Sequence, residues 1–344
     1  MKALVLKEYT QFAYEDVPMP QLGPQDVLVQ VKACGICGSD VHGMDGSTGR
    51  RIPPLIMGHE ASGVITKVGE EVTGWMEGDR VTFDSTVYPL DDWYTRQGLY
   101  NLSDNRQVLG VSCEDYRRHG AFAEYVSVPQ HILYRVPDSV SFKQAAMVEP
   151  VAVSLHALSL TPLRLRDTAL VVGSGMIGLF MVQVLRAAGC SQIIAIDLED
   201  RKLELAQRLG ATTVLNPQRD DIPVSVRGLT AGRGADVAFE AVGITAAIQT
   251  AIESVRKGGT VTLIGNISRS IELPLQMVVT RQIRLQGTCS ICGEYPAALN
   301  MIEKGIINVD NLISATAPLA DGAEWFHRLY TQGNDLMKVI LNPT

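Results

Sequence analysis

Positive charge is in deficit in this chain. Lys and Arg number 30 against 37 Asp and Glu, a formal net charge of −7 at pH 7 over 344 residues. A protein that grips a phosphate backbone carries a basic face, so nucleic acid is not an expected partner. Long hydrophobic runs are missing too. The longest, around Met176 to Leu185, is interrupted by Gly178 and Gln183, far short of the roughly 20 apolar residues of a membrane span, so no membrane partner is expected. The opening Met-Lys-Ala-Leu-Val-Leu returns to charge at Lys7 and Glu8, too early for the apolar core of a secretory signal. There is no low-complexity tract and no internal repeat. Cysteine is sparse, with six in the whole chain. In the cytoplasmic setting these absences lead us to expect, the six are thiols, metal ligands or redox groups rather than disulfides.

What remains is an ordinary globular composition, 46% hydrophobic and 19% charged, long enough for two domains. The first half shows short strand patterns at Asp26 to Lys32, Ala61 to Val68, Arg80 to Phe83 and Ala121 to Val128, punctuated by Gly and Pro. That favours a β-rich domain of irregular barrel type. The rhythm changes near Glu149-Pro150. A helix is expected over Leu155 to Leu160, then strand Thr168 to Val172, helix Ile177 to Ala188, strand Gln192 to Ile196 and helix Arg201 to Leu209. Strands Val237 to Glu240 and Gly259 to Ile264 follow, with a helix at Ala246 to Val255 between them. Alternation of this kind predicts a doubly wound parallel sheet covered by helices, an α/β class. A helix over Tyr295 to Lys304 begins a tail that periodicity alone assigns to neither domain.

Gly173-Ser174-Gly175-Met176-Ile177-Gly178 fits G-x-G-x-x-G. The pattern is weak alone, but here a β-branched strand runs into it, an apolar helix runs out, and a second strand ends at Asp197, nineteen residues past Gly178. Gly173 allows the turn, Gly175 lets a pyrophosphate approach the backbone, and Gly178 lets helix lie on strand. The helix N-terminus offers free N–H groups to phosphate. Asp197 suits ribose hydroxyls and repels a 2′-phosphate, which favours NAD over NADP; Arg201 and Lys202 act slightly against that preference.

Cys37 stands in Gly35-Ile36-Cys37-Gly38-Ser39-Asp40, His59 and Glu60 follow Gly58, and Glu149 precedes Pro150. A catalytic zinc takes about three protein ligands and keeps one position open, and thiolate, imidazole and carboxylate suit that set. On residue types alone a buried core cysteine and a solvated His-Glu turn are the commoner readings.

Taken in order, Gly-x-Cys-Gly-Ser-Asp, Gly-His-Glu, Glu-Pro, Gly-x-Gly-x-x-Gly and Asp197 resemble the zinc-containing medium-chain dehydrogenase/reductases, most closely their polyol branch of sorbitol (L-iditol), galactitol-1-phosphate and threonine dehydrogenases. The resemblance runs from end to end. It implies a GroES-like catalytic domain from residues 1–152 and 291–344 and a Rossmann NAD-binding domain from 153–290. It implies Cys37, His59 and Glu60 as ligands of one catalytic zinc, with Glu149 as a fourth, direct or through water. Ser39 matches the proton-relay hydroxyl, His42 the outer relay histidine, and Asp40 a carboxylate that orients the ligand imidazole. Ile177, Asp197, Lys202, Ile264, Gly265, Asn266, Thr288 and Cys289 match NAD-contacting positions. The implied activity is hydride transfer between NAD and a secondary alcohol, a polyol or polyol phosphate, in a homodimer or homotetramer joined near Arg284 to Thr288. Threonine-type and cyclitol dehydrogenases share the machinery, and a non-catalytic NAD-binding protein that kept the fold is the alternative outside enzymes.

The chain also departs from the pattern. The four cysteine positions of the family's structural zinc lobe fall on Pro89, Asp92, Thr95 and Ser103. No thiolate tetrahedron can form from these, so no structural zinc is expected, and Trp93, Tyr94 and Tyr100 are expected to pack the lobe instead. Cys34 is read as core, and Cys289 and Cys292 as free thiols. Sorbitol dehydrogenases carry an arginine where Ser290 stands here. Arg50, Arg51, Arg117 and Arg118 could meet a phosphate or carboxylate, though solvated loop charge is the commoner role.

Overall fold

The computed structural model describes residues 1–332 and 336–343; residues 333–335 and 344, inside the expected C-terminal return, lie outside the described residues. The chain divides into two compact units. One comprises Met1–Glu149 and Ile291–Lys304 with the described residues from Val309 onward, the other Pro150–Ser290 with Gly305–Asn308. The break thus falls three residues earlier than the expected boundary, and a short tail piece belongs with the second unit.

The first unit is built on a seven-stranded sheet. At its centre is Asp26–Gly35, longer by three residues than its apolar alternation suggests. Val27, Val29 and Val31 are buried on one face, the period-2 signature of a sheet with one dry side. The strand then plunges, and Ala33, Cys34 and Gly35 are all buried. Along one edge it pairs antiparallel with Glu60–Val68, which sets Gly35 opposite Glu60. Along the other edge Tyr125–Pro129 covers its first half and the C-terminal strand Lys338–Asn342 its end, with Ile340 opposite Gly35. Residues 121–124 were expected in the same strand as Tyr125–Pro129. They are bent instead, and the Ala121 and Phe122 N–H groups go to Gly58 and Met57 carbonyls, so this stretch supports the loop before His59 and leaves the ladder to its continuation.

The second unit is a six-stranded all-parallel sheet in the order Thr213–Leu215, Gln192–Ile196, Thr168–Val172, Ala235–Glu240, Val255–Leu263, Arg284–Gly287. Its inner strands read as unbroken apolar runs because helices cover both faces; Ala169 to Val171, Ile193 to Ala195 and Val237 to Phe239 are at most 2% exposed. Helix Met176–Ala187 follows the glycine turn, and Asp200–Leu209 and Thr245–Ser254 follow later strands. The expected helix at Leu155 starts earlier, spanning Val148–Ser159. Pro150 does not block it, since proline is tolerated in a first turn whose N–H groups have no helical acceptor. Among the described residues no helix is long and apolar enough to cross a membrane.

Burial on both faces makes Phe239, 0% exposed, a demanding position. Phe239→Ala should cost about 3–5 kcal/mol in chemical denaturation, while Val279→Ala, at a site 67% exposed, should cost little. Equal small losses would contradict a sheet packed on both sides.

Candidate active site

The metal candidates sit where three short segments end. Cys37 caps the one-and-a-half-turn helix Gly38–Gly43, accepting the Ser39 N–H on its sulfur. His59 and Glu60 lie at the start of Glu60–Val68, and both are at most 6% exposed. The candidate ligand atoms of Cys37, His59 and Glu60 all lie within 4.8 Å of one another. Two ligands held about 2.0–2.3 Å from one ion are at most about 4.6 Å apart, so this spacing suits a single zinc with little adjustment. The donor set is chemically right as well, soft sulfur with imidazole and carboxylate. Glu149, partly buried in the first turn of Val148–Ser159, belongs to the same electrostatic neighbourhood. Burial pushes its carboxyl up to about 7; His59 pulls against that and Glu60 adds to it.

Two ion pairs brace the cluster. Arg51 donates from Nε at 3.1 Å and from Nη2 at 2.8 Å to Asp40 Oδ1, and Arg51 and Asp40 are 4% and 0% exposed. Burial alone would raise the Asp40 carboxyl, but His59 and Arg51 outweigh it and hold it far below the usual carboxylate range. The same Asp40 oxygen lies 3.5 Å from His59 Nδ1, long for a hydrogen bond but close enough to align the ring electrostatically. Arg51 Nη2 also donates to Ser39 Oγ at 3.3 Å, and Ser39 Oγ donates to Cys37 Sγ at 3.2 Å. Arg51 is therefore no solvated loop charge, which corrects the expectation for that residue. A sequence shows loop position but not that Asp40 is buried and needs a cation.

The second pair had no signal in the sequence that we read. Lys338 Nζ donates to Glu60 Oε1 at 2.8 Å, to Glu60 Oε2 at 2.6 Å and to the Ile36 carbonyl at 3.0 Å, with the lysine side chain 3% exposed. Gly35 makes this possible, since a Cβ there would stand 2.3 Å from Glu60 Oε2 and 3.3 Å from Lys338 Cδ. Each carboxylate oxygen keeps a further lone pair, so the lysine does not exclude a metal.

In the second unit, Gly173 takes φ +92° and a Cβ on Gly178 would fall 1.8 Å from the Gly173 carbonyl oxygen, so strand and helix meet over these two residues. A Cβ on Gly175 would touch nothing within 4 Å; the space in front of it is open. No side chain caps helix Met176–Ala187, which leaves its first N–H groups for an anion. Asp197 accepts the Ser174 N–H at 2.8 Å on one oxygen and the Glu199 N–H at 3.0 Å on the other, with lone pairs to spare. Lys202 is paired with Glu199 at 2.7 Å. Ile177, Ile264, Gly265 and Asn266 stand at the same C-terminal ends of the parallel strands, and Thr288-Cys289 directly follow strand Arg284–Gly287.

The chain resembles known proteins over its whole length. Residues 23–138 match the alcohol dehydrogenase GroES-like domain and residues 177–304 the zinc-binding dehydrogenase domain. The chain is 33% identical to sorbitol dehydrogenase of Bacillus subtilis (strain 168), covering all of this chain and 97% of that one. It is 31% identical to D-arabitol-phosphate dehydrogenase of Enterococcus avium, over 96% and 94% of the two chains. The chain belongs to the zinc-containing medium-chain dehydrogenase/reductases. A zinc-binding dehydrogenase of Sinorhizobium meliloti 1021 crystallised with NADP superposes with a TM-score of 0.91 at 29% identity, covering 99% of each chain.

Against the family pattern, the lobe deserves one correction. Asp92 caps the short helix Trp93–Arg96, and Tyr100 stacks on Tyr88 at 4.2 Å while donating its hydroxyl to Asp84 at 2.8 Å. Trp93, expected to pack there, is 66% exposed; its ring stands edge-to-face with Tyr94. Cys34 is fully buried, and among the described residues no cysteine is in a disulfide. His42 is exposed at the end of helix Gly38–Gly43.

Removing one partner of a buried pair strands the other. In zinc-free protein, Lys338→Met should lower stability by about 3–5 kcal/mol, and adding Glu60→Gln should restore most of it in a denaturant titration. A loss under about 1 kcal/mol would show that Glu60 is not held as a buried charge.

Proposed function

We propose that this dehydrogenase oxidises a secondary alcohol of the polyol class with NAD, using one catalytic zinc per chain. The observation that carries this is the buried convergence of Cys37, His59 and Glu60, with Glu149 completing the set directly or through water. When bound, the metal supplies Lewis acidity that lowers the pKa of a substrate hydroxyl. Oxidation then sends a hydride from the carbinol carbon to NAD and the hydroxyl proton to Ser39. Ser39 is held for this by Cys37 and Arg51, and His42, exposed one turn further on, passes the proton to solvent. Asp40 and Arg51 keep the His59 ring in place. Gly173, Gly175 and Gly178 with the helix behind them cradle the pyrophosphate, and Asp197 holds the adenosine ribose. Its free lone pairs, and a Lys202 already engaged by Glu199, support NAD; the NADP-bound relative makes that preference worth measuring. No structural zinc is included, because Pro89, Asp92, Thr95 and Ser103 offer no thiolate. Strand Arg284–Gly287, an edge of its sheet, is the surface for a homodimer or homotetramer, and we place the protein in the cytoplasm.

Initial rates of NADH formation across polyols, polyol phosphates, cyclitols, simple diols and threonine test this directly. Turnover confined to polyols or their phosphates, faster with NAD than NADP and at least about 10²-fold lower in Cys37→Ser, is the expected result. Normal turnover by Cys37→Ser, or threonine as the preferred substrate, would overturn it.

A further inference from the structure

Arg117 and Arg118 play no part in the arrangement above. They form a two-residue strand against Val111–Ser112 and line a cavity of about 490 Å³ within the first unit. That volume lies in the range of small-molecule sites, about 300–1,000 Å³. None of Cys37, His59, Glu60 or Glu149 lines it. Its apolar wall comes from the N-terminal hairpin and the strand beside it, with Val5, Val17 and Ile56. Lys7 and Glu15 also line it, but they pair at 2.9 Å and cancel.

The remaining charge is one-sided. Arg117 donates to the Pro53 carbonyl and Arg118 to the Gln107 side-chain oxygen, each at 3.2 Å. Both partners are neutral, and neither arginine is paired with a carboxylate among the described residues. His119 accepts the Ile56 N–H on Nδ1 at 3.2 Å, which keeps its ring proton on Nε2 as one more donor. A guanidinium fork matches the paired oxygens of a carboxylate or phosphate.

We propose that this cavity binds a small amphipathic organic anion, its carboxylate or phosphate head on Arg117 and Arg118 and its hydrocarbon body on the Val5–Val17–Ile56 wall. The ligand is a separate molecule from the alcohol being oxidised, and NADH does not compete with it.

Calorimetric titration of the full-length, NADH-loaded protein with octanoate, hexyl phosphate and octan-1-ol tests this. Saturable binding of at least one anion is expected, at least tenfold tighter than octan-1-ol and at least tenfold weaker in Arg118→Gln. Octanoate alone binding would assign a carboxylate ligand, hexyl phosphate alone a phosphate ester. Met19→Glu alters a lining residue that is 46% exposed, so it leaves the fold intact while adding a negative charge to the cavity; it should weaken anion binding several-fold even if Arg118→Gln does not fold. Equal affinity for the alcohol, affinity unchanged by both variants, no saturable binding of either anion, or loss of binding when NADH is present would each overturn the proposal.

Discussion

Glu60 is a carboxylate taken out of water, and its charge is tolerable only because Lys338 meets both of its oxygens, at 2.6 and 2.8 Å. An unpaired charge at that depth would cost several kcal/mol. The partner comes from the far end of the chain, 278 residues away, so the C-terminal strand must lie beside Asp26–Gly35 for the site to exist. That requirement ties the tail to the first unit and explains why the strand end needs glycine at position 35. Any side chain there would occupy the space in which the pair forms.

The Asp40–Arg51 pair acts one step removed from chemistry. Asp40, at 0% exposure, is kept ionised by His59 and Arg51 together, and the ionised Asp40 is what faces His59. The same guanidinium reaches Ser39, which in turn reaches Cys37. The His59 imidazole, the Cys37 thiol and the Ser39 hydroxyl are therefore held by one network with a single buried cation at its head. Such a network has little freedom to rearrange, which suits a site whose geometry must be right before substrate arrives. The second unit solves its problem differently, with backbone alone: three glycines, a helix start free of side-chain caps and one aspartate.

Much of this was legible from local pattern. Val27, Val29 and Val31 alternate because one face of their sheet is dry, and the strand around Ala169 to Val172 does not alternate because both its faces are. The glycine turn could be read because Gly173 and Gly178 each answer a local steric need. Helix Val148–Ser159 was half missed, since Pro150 looks like a boundary when it is a first-turn residue. Trp93 was misplaced because an aromatic in a lobe suggests packing, whereas nothing local says which way its ring faces. Lys338 and the buried role of Arg51 were out of reach for a deeper reason. Lysine and arginine are ordinarily solvated, and only long-range strand pairing reveals that these two answer buried carboxylates. The lone Cys37, His59 and Glu60 had meaning only through the order of motifs around them, and the fold then brought their ligand atoms within 4.8 Å.

Zinc X-ray absorption on the isolated protein tests the central claim, that these three side chains converge on one metal. The account predicts a four-coordinate spectrum with one sulfur at about 2.3 Å and nitrogen and oxygen ligands at about 2.0–2.2 Å, at one zinc per chain. A spectrum dominated by sulfur, or one whose sulfur shell survives in Cys37→Ser, would place the metal elsewhere and contradict it.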